Sequence, residues 1–265
     1  MKKLLAIIMS CLTALACCFA FTACGSDKEK LIVYTEAGFP PFEFTAKGST
    51  EVIGVDIELA KYIAKKYDYE LQIIDGSFDT IVAGISEDNA LGIAGISWTA
   101  QRAEAIEYSD FYYGGAFQTV VYLKSSNPVL ADGVFSKLNF AGKTLVYQTG
   151  TTSQITVSEN EADWGISEKH DYDSVFTALQ EVNANTYLIV DSQVAKTLVA
   201  SNSDYAYATI EDVEAESYGV VAKKGNTALI AKVNAAIAEL LVPDGNGKTQ
   251  IDKWVAQYEA IEPAE

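Results

Sequence analysis

The sequence predicts an α/β protein built from two lobes, and three observations carry that expectation. Strand-like and helix-like periodicities alternate along most of the chain, the pattern of a parallel sheet with helices on its faces. A long strand-like run over residues 116–123 interrupts the alternation, which then restarts. The tail from Tyr218 is too short to form a third domain, so it must pack on one of the two blocks. Its return to the first block would make two strands cross between the lobes, a hinge geometry.

Taken in order, residues 31–35 form a short β-rich run. From Asp56 to Tyr67 the apolar Ile57, Leu59, Ala60, Ile63 and Ala64 fall at helical spacing against Glu58, Lys61, Lys65 and Lys66. Residues 70–74 read as a strand, 78–86 as a helix and 91–96 as a buried strand. After the crossing, 144–147 is a strand, 151–161 and 174–182 are helices, 187–190 is a strand and 192–200 a helix. A last strand at 218–222 leads into helices at 227–241 and around 250–258.

Composition narrows the function. The 265 residues carry 19 Lys and Arg against 36 Asp and Glu, a net charge of −17, which argues against a nucleic-acid partner. Met1-Lys2-Lys3 followed by an uncharged, mostly apolar run over residues 4–21 reads as a secretory signal sequence, with an uncleaved anchor helix as the alternative. All four cysteines, Cys11, Cys17, Cys18 and Cys24, lie within the first 24 residues. The chain beyond them therefore has no disulfide, cysteine nucleophile or Cys-ligated metal. Enzyme signals are poor. The single histidine, His170, sits in the polar stretch SEKHDYD and reads as a solvated side chain. AGKT at residues 141–144 lacks the earlier glycine of a phosphate loop, and DGNGKTQID lacks the liganding pattern of a calcium loop. No metal and no cofactor is expected.

Polar residues collect at strand ends, where α/β sheets bind ligands. The strand at 91–96 is followed by SWTAQR, with Thr99 placed to cap a helix and Arg102 in its first turn. A cation there opposes the helix dipole, an effect that a bound anion would reverse, although a solvated Arg102 or a pair with Glu104 or Glu107 fits the spacing too. The strand at 144–147 runs into QTGTTS, where Gly150 permits close backbone approach and Thr151 or Thr152 can cap. Asp191 ends another strand immediately before a helix, a position at which aspartate commonly serves as an N-cap. The first strand leads into EAGFPPFEF, a stiffened loop displaying Phe39 and Phe42.

Together these segments resemble the family-3 bacterial extracellular solute-binding proteins, the polar amino-acid receptors of ABC importers. The resemblance covers residues 31–265 through LIVYTEAGFPPFEF, GVDIELAKYIA, SFDTIVAGI, IAGISWTAQR with IEYSDFYY, VYQTGTTS, YLIVDSQVA and YGVVAKKGN, in the family's order. It implies a two-lobed periplasmic-binding-protein-like fold of type II. Residues 31–121 with 216–265 would form lobe 1 and 122–215 lobe 2. FTAC resembles a lipobox, so residues 1–23 would be a lipoprotein signal peptide, Cys24 the lipid-bearing residue and 24–30 an anchored linker on the outer face of the cell membrane.

The resemblance also implies roles. Arg102 would grip an α-carboxylate, with Ser97 and Thr152 as further donors, and Asp191 would bind the α-ammonium with the Gly95 carbonyl. Phe39 and Phe78 would sandwich the side chain, and Glu36 and Gln148 would meet its tip. Glu36 disfavours acidic side chains and favours a guanidinium or ammonium, so arginine or lysine is expected, with cystine or glutamine next. Gln101 replaces the family's usual Glu, SEDNA replaces its Gly-x-x-Asp turn, and Trp98 is bulky where Ile or Val is common. The expected protein is a monomeric, non-enzymatic receptor with a free amino acid as ligand and ABC permease subunits as partners. A dehydratase acting on prephenate-like acids, or a sensor or adhesin without a transporter, are the competing expectations.

Overall fold

The computed structural model describes residues 28–264, so the leader and Cys24 lie outside the described residues. Two five-stranded sheets organise the chain. The first has the order Glu70–Asp75, Lys30–Thr35, Ala90–Ser97, Glu216–Lys223, Ile106–Ala116. Its first three strands are parallel, and Glu216–Lys223 runs antiparallel to both neighbours. The second has the order Glu168–Tyr172, Thr144–Gln148, Thr186–Asp191, Gln118–Leu123, Tyr205–Thr209, again with three parallel strands and an antiparallel strand in fourth place. The chain crosses between the sheets twice, from Ile106–Ala116 to Gln118–Leu123 and from Tyr205–Thr209 back to Glu216–Lys223.

The expected strand over residues 116–123 is two strands. Ile106–Ala116 ends in the first sheet and Gln118–Leu123 begins in the second, with Phe117 between them. Residues 118–121, expected in lobe 1, therefore belong to the second sheet.

Side chains alternate across each sheet and fill a core on both faces. In lobe 1, Leu31, Val33, Leu91, Ile93 and Val220 pack with Leu59, Ile63, Val233 and Ile237 of the covering helices, while Ala94, Ile96 and Val221 meet Ile81 on the other face. All eight residues of Ala90–Ser97 are buried, as a central strand covered on both sides requires. In lobe 2, Leu145 and Tyr147 face Phe135, Val157 and Trp164, while Val146 and Leu188 face Val194 and Leu198. The helix Val55–Lys66 carries Asp56 and Glu58 in its first turn and Lys65 and Lys66 in its last, complementing its dipole.

Some elements differ from the periodicity. The helix Phe78–Ala83 ends three residues early because Gly84, at φ 148°, leaves the helical region. A small sheet of Gly38–Phe39, Glu43–Thr45 and Val52–Ile53 forms within the aromatic loop and its return. The edge strand Glu168–Tyr172 is polar and mostly exposed, so it offers no alternation to read.

Candidate functional site

Between the lobes lies a small cavity walled by residues of both. Phe39, Phe78, Gly95, Ser97, Arg102, Gln148, Thr152 and Asp191 all line it. Glu36 alone of the expected ligand-contacting residues is not in the wall; its carboxyl interacts with the side chain of Gln148, which is.

Lobe 1 supplies the cation. Thr99 caps the helix Ala100–Ala105 by accepting the Arg102 N–H at 3.1 Å. The buried Arg102 side chain donates from Nη1 to the Ser97 carbonyl at 2.7 Å and from Nη2 to the Gly150 carbonyl of the other lobe at 2.8 Å. Its guanidinium lies 5.3 Å from the centre of the Phe78 ring, so Phe78 walls Arg102 as well as the cavity. Neither Glu104 nor Glu107 serves as its partner; Glu107 lies 3.5 Å from Lys224. Burial pushes the Arg102 pKa down, partly offset by Tyr108 and by the charge of Glu216.

Lobe 2 supplies the anion. Asp191 caps the helix Ser192–Ser201, its Oδ1 accepting the Gln193 N–H at 3.2 Å, and it is buried in the cavity wall. The capping and cavity readings of Asp191 therefore hold together. Burial lifts its carboxyl to about 7, a rise that the Tyr218 hydroxyl moderates and the charge of Glu216 reinforces. Burial likewise lifts Glu36 to about 7 against the Gln148 hydrogen bond, with Asp75 adding to the rise.

Two glycines allow the approach. Gly95 sits at φ +54°, and a Cβ there would lie 2.7 Å from the Phe39 ring. Gly150 sits at φ +77°, and a Cβ there would lie 2.9 Å from the Asp79 backbone across the cleft.

Sequence reasoning missed the hinge side. Gln118 donates from Nε2 to Thr152 Oγ1 at 3.1 Å and to Glu216 Oε1 at 2.7 Å, and its Oε1 accepts the Ser153 hydroxyl at 2.7 Å. The Thr152 hydroxyl donates to Glu216 Oε2 at 2.8 Å. Gln118 and Glu216 each open a crossing strand, and polar residues at those two starts were the available signal. Trp98, bulky where the family commonly has Ile or Val, does not line the cavity: it is 52% exposed and lines an open groove with Phe111. His170 is exposed, 3.3 Å from Glu168 on the edge strand and away from the cavity. Among the described residues no His, Cys, Asp and Glu group is arranged to hold a metal ion, and no helix is long and apolar enough to cross a membrane.

Two lobes closed over a cavity with a buried cation on one wall and a buried carboxylate on the other define a small-solute-binding protein. The profile of the bacterial extracellular solute-binding proteins, family 3, matches residues 31–257, and the chain belongs to that family. It is 31% identical over 262 residues to the arginine-binding extracellular protein ArtP of Bacillus subtilis, covering 94% of this chain and 96% of that one. A probable ABC transporter arginine-binding protein, ArtJ of Chlamydia trachomatis, is 28% identical, covering 86% of this chain and 88% of that one. Among solved structures, the substrate-binding protein AbpA of Streptococcus pneumoniae bound to L-arginine superposes with a TM-score of 0.76 at 26% identity, covering 89% of this chain and 97% of that one.

Proposed function

We propose that this protein captures an L-amino acid with a cationic side chain, arginine before lysine, and delivers it to an ABC permease. The observation that carries the reading is the opposition of Arg102 on lobe 1 to Asp191 on lobe 2 across one cavity, with the Glu36 carboxyl interacting with Gln148 of its wall. A zwitterion satisfies the first pair, and a guanidinium or ammonium satisfies the third group. Arg102 and Ser97 hold the ligand carboxylate. The Thr152 hydroxyl is already committed to Glu216, so the lobe 2 donor is the Thr152 backbone N–H at the start of its helix. Asp191 and the Gly95 carbonyl take the ammonium, Phe39 and Phe78 flank the side chain, and Glu36 with Gln148 meets its tip. The arginine-binding relatives support this choice of ligand.

The protein acts by binding, without catalysis, as a monomer. Residues 1–23 are removed as a signal peptide, Cys24 carries the lipid, and 24–30 space the lobes from the outer face of the membrane. Lobe 1 comprises residues 31–117 with 216–265, and lobe 2 comprises 118–215. The test is calorimetric titration of protein beginning after Cys24 against the twenty amino acids, ornithine and cystine. Tightest binding of arginine, at micromolar Kd or below, is expected. Preference for cystine or glutamine would overturn the role given to Glu36, and binding of none would overturn the amino-acid reading.

A further inference from the structure

Two more carboxyl groups lie beneath the cavity floor, fully buried and beyond the reach of the ligand. Glu43 and Asp56 both have 0% exposure. Asp56 Oδ2 accepts the Gly95 N–H at 2.8 Å, and its two oxygens receive the Tyr112 hydroxyl at 2.7 and 2.9 Å. Neither Glu43 oxygen has an N–H or O–H donor. Two neighbouring buried carboxyls without a cation cannot both be ionised. The negative charge rests where the donors are, on Asp56. A protonated Glu43 would direct its O–H to the Asp56 carboxylate and so satisfy both groups.

We propose that Glu43 and Asp56 are a positioning pair for the ligand site: neutral Glu43 holds ionised Asp56, and Asp56 fixes Gly95 so that its carbonyl faces the ligand ammonium. The proposal rests on the reading of Gly95 given above. Gly95 is left-handed, its N–H tied to Asp56 and its open side closed by the Phe39 ring. The pair also joins four elements: the strand Glu43–Thr45 that follows the Phe39 loop, the helix Val55–Lys66, the strand Ala90–Ser97 and, through Tyr112, the strand Ile106–Ala116. Two pocket walls, Phe39 and Gly95, therefore depend on one shared proton. Burial and the charge of Asp56 push the Glu43 carboxyl far above its ordinary range, while hydrogen bonds from Gly95, Tyr112 and Glu43 restrain the rise at Asp56.

The experiment is calorimetry of the whole two-lobed protein with L-arginine and with 5-guanidinopentanoate, the same molecule without its α-ammonium. Asp56→Asn keeps the shape and removes the charge. It is expected to raise the Kd for arginine by about 10–100-fold and to change the Kd for the deaminated analogue by less than about threefold. Equal losses for both ligands, or a lowered melting temperature with unchanged affinities, would assign Asp56 to folding alone and overturn the proposal. Should Asp56→Asn fail to fold, the Glu43 variants decide. Glu43→Ala is expected to weaken arginine binding, and Glu43→Gln to restore it by offering an amide N–H in place of the carboxylic O–H. A Gln variant as weak as the Ala variant would overturn the shared proton. Wild-type binding of a different amino acid moves the comparison to that ligand and its deaminated form. Wild-type binding of none overturns the reading of the site itself, and with it the role of Gly95.

Discussion

The two lobes share one topology and put opposite charges at the same place in it. In each, the third strand of the sheet runs directly into a helix: Ala90–Ser97 into Ala100–Ala105, and Thr186–Asp191 into Ser192–Ser201. Lobe 2 ends its strand on Asp191, which caps the following helix and is satisfied locally. Lobe 1 caps with Thr99 and places Arg102 inside the first turn, where a cation gains nothing from the helix dipole. Arg102 compensates with two backbone carbonyls, one of them on the facing lobe. The difference teaches that the sheet sets where a ligand can sit, while one or two residues at each strand end set its charge pattern.

The largest test of that contrast is Arg102→Ala. Losing two charge-assisted hydrogen bonds, at about 1.5–3 kcal/mol each, should weaken arginine binding by roughly 10²–10⁴-fold. Arg102→Lys should recover little of it, because an ammonium cannot grip a carboxylate with two parallel bonds. Calorimetry checks both, and near-wild-type affinity in either variant would break the lobe 1 assignment.

Proton linkage comes next. Glu36 and Asp191 have carboxyls raised to about 7 in the ligand-free protein, so each holds a proton below that pH. A cationic ligand favours their ionised forms and expels those protons. Affinity for arginine should therefore rise from pH 5 to 7, by roughly 10²-fold per proton displaced, and flatten above. The same raised values make the ligand-free fold lose their stabilising contribution as pH climbs from about 4 through 7. Titrations in buffers of different ionisation enthalpy count the protons, and a count of zero would contradict the electrostatic picture of both lobes.

Asp191→Asn sharpens the lobe 2 side, because asparagine keeps the cap and removes only the charge. An affinity loss of about 10–100-fold with little change in melting temperature is expected. Glu36→Gln should cost about tenfold for arginine and lysine and leave neutral amino acids unaffected, which competition binding can measure. Smallest of all is the surface tie across the cleft between Lys196 and Glu259, at 2.8 Å. Lys196→Ala removes an ion pair worth about 0–1 kcal/mol, so its Kd should move by no more than about fivefold.

Much of this was legible in the sequence because each signal was local. Thr99 and Asp191 announced helix starts, the nearly continuous apolar run over residues 91–96 announced a buried strand, and the shortness of the tail required it to pack on one of the two blocks. The changeover at Phe117 was hidden because Ile106–Ala116 and Gln118–Leu123 are both extended and run on almost without interruption; only pairing partners separate them. The Gln118–Thr152–Glu216 network was hidden for a related reason, since its members come from three distant segments and none is unusual alone. The size of Trp98 carried no signal about the pocket, because size says nothing of the direction in which a side chain leaves the strand end.

The most direct test of the opposed-charge account compares L-arginine with agmatine, which keeps the guanidinium and lacks the carboxylate, on wild-type and Arg102→Ala protein. The account predicts that Arg102→Ala weakens arginine by at least about 100-fold and leaves agmatine, already weak, within about threefold of its wild-type affinity. Equal losses for the two ligands would show that Arg102 does not face the carboxylate and would contradict the assignment of opposite charges to the two lobes.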